Sequence, residues 1–146
     1  MATIFTIGFT KKSLREFVET LRAAGVRRVV DVRLRNTSQL AGWSKQPDFG
    51  YLLEEGFGIA YEHRPEFAPS DEILDKYKKE DSDWAGYEER FNRLLEERKP
   101  EAQARDLLAK ESICLLCAEP TADKCHRRLV ADYLRKFEPK TEIKHL

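Results

Sequence analysis

The sequence predicts an α/β fold, a three-layer sandwich with a mostly parallel central sheet and helices on both faces. Three observations carry this expectation. Short apolar runs at residues 3–9, 26–32, 59–63 and 112–118 alternate with segments of helical periodicity. The first two runs are separated by a crossover of the length that a parallel pair requires. The run "SICLLCA" at residues 112–118 is apolar without alternation, as expected of a central strand covered on both faces.

The first run, "TIFTIGF", is rich in β-branched and aromatic residues and is followed by turn and cap residues. Ser13 with Glu16 forms an S-x-x-E capping box, and Leu14, Phe17, Val18 and Leu21 share one helical face. Gly25 supplies the stop, and "VRRVVDV" follows as a second strand. Residues 33–58 carry polar and turn residues with two aromatics, Trp43 and Phe49, that read as exposed; a long loop is expected, with a short helix from Phe49 ending at Gly56 or Gly58. "IAYEH" reads as a third strand stopped by Pro65, and Ser70 caps a helix carrying Ile73, Leu74 and Tyr77. Trp84, Tyr87, Phe91, Leu94 and Leu95 make a stripe of helical period that reads as core, and Pro100 restarts a helix through Leu108. The last helix is expected over about 123–136, burying Leu129, Val130, Tyr133, Leu134 and Phe137, and "TEIKHL" adds a terminal edge strand.

The chain of 146 residues is the size of one domain, 1–146, and its 41% hydrophobic content suffices for one core. Its 26 basic and 26 acidic residues cancel, so net charge gives no reason to expect nucleic-acid or membrane-surface binding. The start "MATIFTIGF" lacks the basic flank and long apolar run of a signal peptide, and no stretch could span a bilayer. A cytoplasmic protein is expected. Three cysteines are too few, and odd in number, for a disulfide framework.

In an open parallel sheet, ligands bind beyond the carboxyl ends of the strands. The first strand ends at Gly8, the second at Asp31 and Arg33, the third at His63, and the long apolar one at Cys117 and Glu119. The segment "CAEPTADKCHRR" leaves that strand and re-enters a helix, with Thr121 or Asp123 as the expected cap. Cys125, His126 and Arg127 then fall in the first turn, where free N–H groups favour anions and a thiol pKa is lowered toward neutrality. The expectation is a small anionic ligand, phosphorylated or carboxylated, a nucleotide among the candidates. Cys125 is the expected nucleophile, His126 its acid/base partner and Asp31 a base or orienting carboxylate, with Cys117 beside them. Gly8, Arg33, His63, Glu119 and Arg127 are the expected ligand contacts. These residues suit an enzyme without naming its reaction or any cofactor.

Plainer readings stand beside this one. Cys114 and Cys117 suit a buried strand as small apolar fillers, and Asp31 with Arg33 suits an ion pair at a strand end. Cys117, Cys125 and His126, with His63, are zinc-compatible donors, but the spacing is not the C-x₂₋₄-C of compact zinc modules, and no metal is assigned. A Cys117–Cys125 redox disulfide is allowed by the short separation but lacks C-x-x-C. Neither G-x-G-x-x-G nor G-x-x-x-x-G-K-[ST] occurs. The alternative from another class is a non-catalytic nucleic-acid-binding or interaction module. It would use a local basic patch of Arg27, Arg28, Arg33, Arg35, Lys45, Lys124, Arg127 and Arg128, with Trp43 as a stacking residue.

The segments "TIGFTKKSLREFVETLRAAGVRRVVDVR", "GIAYEHRPE" and "LLCAEPTADKCHRRLVADYL" together resemble the family known as domain of unknown function 488. The resemblance covers nearly the whole chain. It implies an α/β fold and marks Gly8, Asp31, Arg33, Cys117, Glu119, Cys125, His126 and Arg127. Where members often read "TIGHS" this chain has Phe9 and Thr10, "LRNTSQL" stands where a Pro/Ser/Arg-rich segment is common, and "RPEFAPS" where "LPELGG" is common.

Overall fold

The computed structural model describes residues 3–36, 42–79, 83–117 and 125–146. Among these, strands β1 (Thr3–Gly8), β2 (Arg28–Asp31), β3 (Ala60–His63), β4 (Ile113–Cys117) and β5 (Glu142–His145) form one sheet in the order β3-β2-β4-β1-β5. Every neighbouring pair is parallel, so the expected mostly parallel sheet is fully so among the described residues. The apolar run read as a central strand is β4, hydrogen-bonded to β1 on one side and β2 on the other.

Helix α1 (Leu14–Ala24) forms where the apolar spacing puts Phe17, Val18 and Leu21 on one buried face. Ser13 Oγ accepts from the Glu16 amide at 3.1 Å, and Gly25 ends the helix at φ 79°, a left-handed conformation that glycine adopts without a Cβ penalty. The remaining helices are α2 (Asp48–Tyr51), which runs on into a π-helical turn at Leu52–Gly56, α3 (Asp71–Lys79), α4 (Trp84–Arg98), α5 (Glu101–Leu108) and α6 (His126–Arg135).

Strand pleating sends alternate residues to opposite faces, and each face is covered. Phe5, Ile7, Val29, Cys114 and Leu116 pack with Phe17, Val18 and Leu21 of α1 and with Phe49 and Leu53. Ile4, Val30, Ile113 and Leu115 pack on the other face with Phe91 and Leu95 of α4, Ala104 and Leu107 of α5, and Leu129, Val130 and Leu134 of α6. The result is the three-layer sandwich. Tyr87, Phe91 and Leu95 of the aromatic stripe are core, as their period predicts.

The segment after β2 departs from expectation at its aromatics. Phe49 is fully buried, and Trp43 lies 5.0 Å from the Phe17 ring rather than facing solvent. Burying one such side chain gains about 1.5–3 kcal/mol, enough to draw an otherwise polar segment onto the sheet face beside α1. No helix among the described residues is long and apolar enough to cross a membrane.

Candidate functional site

The C-terminal rim of the sheet carries two polar clusters, one on each face. On the α6 face, the pleat turns Cys117 toward the same side as Ile113 and Leu115. It meets Cys125 and His126 there. The Sγ atoms of Cys117 and Cys125 are 2.7 Å apart, and Cys117 Sγ lies 3.5 Å from His126 Nδ1. His126 Nε2 is 2.7 Å from the Val32 carbonyl oxygen. A carbonyl only accepts, so Nε2 carries the proton and Nδ1 presents a lone pair to Cys117. The edge of the Phe91 ring fixes the imidazole from the side, with centroids 5.6 Å apart. The donor atoms of Cys117, Cys125 and His126 all lie within 4.8 Å of one another, and all three residues are buried.

Cys125 is the N-cap of α6 rather than part of its first turn, and the expected caps Thr121 and Asp123 lie outside the described residues. Its environment also reverses the expected acidity. Burial pushes the Cys125 thiol up, and the hydrogen bond to Cys117 adds to this; the Arg127 amide and guanidinium pull it down, as a helix start should, but are outweighed. For His126, burial pushes the imidazole down, yet the charge and hydrogen bond of Cys117 with the Val32 carbonyl push it up and prevail. The histidine thus serves Cys117, not Cys125.

Arg127 is fully buried on the same helix start, with Nε donating to Thr6 Oγ1 at 3.3 Å. Thr6 also meets His145 Nδ1 at 2.6 Å, which ties β5 to the cluster. Lys12 comes from the turn after β1. Burial and the Arg127 charge push its ammonium down, with Glu16 opposing, so two cations share this end of the molecule. Gly8, at the end of β1, is in register with Cys117.

Asp31, Arg33 and His63 belong to the other cluster. Asp31 follows Val29 in the pleat and so faces α1 and α2, away from the thiols. Arg33 grips it bidentately through Nε and Nη2, each at 2.8 Å, and Arg33 N donates to Oδ1 at 3.1 Å. Tyr61 O–H donates to Oδ2 at 2.5 Å and Asn36 Nδ2 at 3.3 Å. Burial, and then the Asp31 charge and hydrogen bond, push the Tyr61 phenol up. The Arg33 guanidinium lies 5.1 Å from the Phe9 ring centroid and 5.6 Å from that of Phe49. Its Nη1 is buried without a hydrogen-bond partner among the described residues. His63 Nε2 is 2.7 Å from the Arg33 carbonyl oxygen.

The expected single constellation is therefore split. Cys117, Cys125, His126 and Arg127 come together, with Gly8 beside them, while Asp31, Arg33 and His63 assemble behind the sheet. The backbone at the end of β2 joins the two, since Val32 and Arg33 offer their carbonyls to His126 and His63. Glu119, Thr121, Asp123 and Lys124 lie outside the described residues. Thr6, Lys12, Asn36 and Tyr61 were not singled out from sequence. Thr6 had a usable signal, being a polar residue inside an apolar strand that is fully buried in the fold.

Five residues of the basic patch in the alternative reading have placed partners or are buried. Arg33 and Arg127 are buried, Arg28 pairs with Glu62 at 2.8 Å, Arg35 with Asp71 at 2.5 Å, and Arg128 faces Glu88 and Asp132. Trp43 is committed to the aromatic cluster around Phe17 and Phe49.

Fold and cluster define an α/β sandwich protein with a buried dithiol and an oriented imidazole at the carboxyl rim of a parallel sheet. The chain belongs to the family described as Domain of unknown function DUF488, whose family model matches residues 13–134. Comparison with curated proteins and with solved structures finds no match.

Proposed function

We propose that the protein binds a small anion bearing a phosphate or carboxylate at the carboxyl rim of the sheet and acts on it through the Cys117 thiol. His126 is the proton acceptor and Cys125 a hydrogen-bond donor to the reacting sulfur. The observation that carries this reading is the imidazole held between the Val32 carbonyl and Cys117 Sγ, the nucleophile, base and orienting group of a thiol enzyme. Asp31 is a positioning residue in this scheme. Its pairing with Arg33 fixes the backbone that orients His126.

The anion side rests on two cations near the start of α6. Arg127 is buried there, and burial, then the Arg127 charge, pushes the Lys12 ammonium down. An anion seated there relieves the repulsion between the two cations. A reducing cytoplasm would keep the thiols free for this chemistry.

The test is the alkylation rate of native Cys117 by iodoacetate and by iodoacetamide, followed by peptide mass spectrometry. A free thiol reacts more slowly with the anionic reagent. Cys117 should prefer iodoacetate, inorganic phosphate should protect it saturably, and Lys12→Gln should reduce the preference. A Cys117 that reacts faster with iodoacetamide, with no protection by phosphate, would remove the anion site from this reading.

A further inference from the structure

We propose that Cys117 and Cys125 form a two-cysteine centre that reduces a hydroperoxide, Cys117 as the attacking sulfur and Cys125 as the resolving one, passing through a Cys117–Cys125 disulfide. The inference rests on the reading of Cys117 as the reacting thiol and adds the second thiol's role and the oxidant's class.

Three observations on the α6 face carry it. The two sulfurs are in direct contact at 2.7 Å, each on a firmly held element: Cys117 ends the strand bonded on both sides, and Cys125 caps a ten-residue helix. Their surroundings are unequal. Among the described residues His126 Nδ1 is hydrogen-bonded to Cys117, while Cys125 donates to Cys117, so the imidazole is placed to take the proton of one sulfur and the other keeps its own. Both are nearly closed to solvent, Cys117 at 5% and Cys125 at 2% exposure. Such burial disfavours a bulky disulfide partner and admits a small oxidant.

The chemistry balances with a hydroperoxide ROOH as the two-electron oxidant. The Cys117 thiolate, its proton held by His126, attacks the terminal oxygen. An S–O bond forms, the O–O bond breaks, and the leaving alkoxide takes the proton from His126 as ROH. Cys125 sulfur then attacks the sulfur of the resulting Cys117 sulfenic acid; the S–S bond forms, the S–O bond breaks, and the departing hydroxide takes the Cys125 proton as water. Two equivalents of a small thiol restore the dithiol. Cys114 takes no part, because it points to the other face, among Phe5, Val29 and Leu116.

The test treats the purified chain with equimolar hydrogen peroxide, then counts alkylatable thiols after denaturation and maps disulfides by mass spectrometry. The expected result is a fall from three alkylatable cysteines to one, Cys114, with a mass loss of two hydrogens and recovery on adding dithiothreitol. Cys114→Ala should oxidise at the same rate. Cys125→Ser should stop at a Cys117 sulfenic acid that dimedone traps, and His126→Gln should slow the first step. Unchanged thiols, sulfinic acid without a disulfide, or thiols released to reagent only by a chelator would each overturn the proposal, the last by assigning the cluster to a metal. If peroxide leaves the thiols unchanged while Cys117 still prefers iodoacetate, the anion-site reading stands and this inference falls; a Cys117 inert to peroxide and to both alkylating reagents removes both.

Discussion

Replacing Asp31 with alanine should cost about 3–5 kcal/mol of folding stability, the loss associated with removing one partner of a buried ion pair. The carboxylate is fully buried and accepts from Arg33 Nε, Arg33 Nη2, the Arg33 amide, Tyr61 and Asn36. Without it the guanidinium of Arg33, only 4% exposed, keeps its charge with no counterion in contact among the described residues, and the Phe9 and Phe49 rings offset only part of that cost. Total stability for a domain is about 5–15 kcal/mol, so the variant should be on the edge of unfolding. In urea, with a slope of about 2 kcal/mol/M, the midpoint should fall by about 2 M. Removing both partners, in Asp31→Leu with Arg33→Met, should recover most of the loss, because neither desolvated charge remains. The measurement is urea unfolding followed by tryptophan fluorescence, Trp43 reporting from beside Phe49. A loss below about 1 kcal/mol, the range of solvent-exposed pairs, would refute the description of this pair as buried and positioning.

Other substitutions and conditions test separate parts of the structure. Ser13→Ala removes the cap on α1 and should cost about 1 kcal/mol, read by thermal unfolding in circular dichroism. Phe91→Ala should cost about 3–5 kcal/mol and, by removing the ring against His126, slow Cys117 alkylation as well. Burial pushes the Cys114 and Cys125 thiols up in the folded state, so as pH rises past the ordinary thiol range the unfolded chain releases protons first. Stability should therefore hold below that range and fall above it, and Cys114→Ala should flatten the fall; an unchanged slope would mean Cys114 does not contribute.

The elements of the fold were legible because their signals are local: apolar runs of strand length, the cap at Ser13, the stop at Gly25 and the helical stripe from Trp84. Strand order was not, since β4 enters between β1 and β2 from far along the chain. The cluster of Cys117, Cys125 and His126 was readable as a group, being close in sequence and at a strand end. Which sulfur the imidazole serves was not readable, because it depends on the Val32 carbonyl, a contact 94 residues away. Nor was the separation of Asp31 from the thiols. Pleat parity assigns Asp31 and Cys117 to opposite faces only once the register Asp31↔Leu116 is known. Trp43 and Phe49 were misjudged because sequence shows a polar segment, while burial depends on the uncovered sheet beside α1.

The strand order also governs when the molecule can come into being. β1 is bonded only to β4 and β5, and β2 to β3 and β4, so a chain emerging from the ribosome holds β1 without any partner until residue 113 has been made. Until β4 is made, β1 and the facing edge of β2 stand on either side of a gap. β4 fills that gap, and it is the strand that brings Cys117; α6 follows with Cys125 and His126. The thiol pair therefore closes as the sheet closes, and the same late step that ends the exposure of two sticky edges also withdraws Cys117 and Cys125 from the surrounding solution.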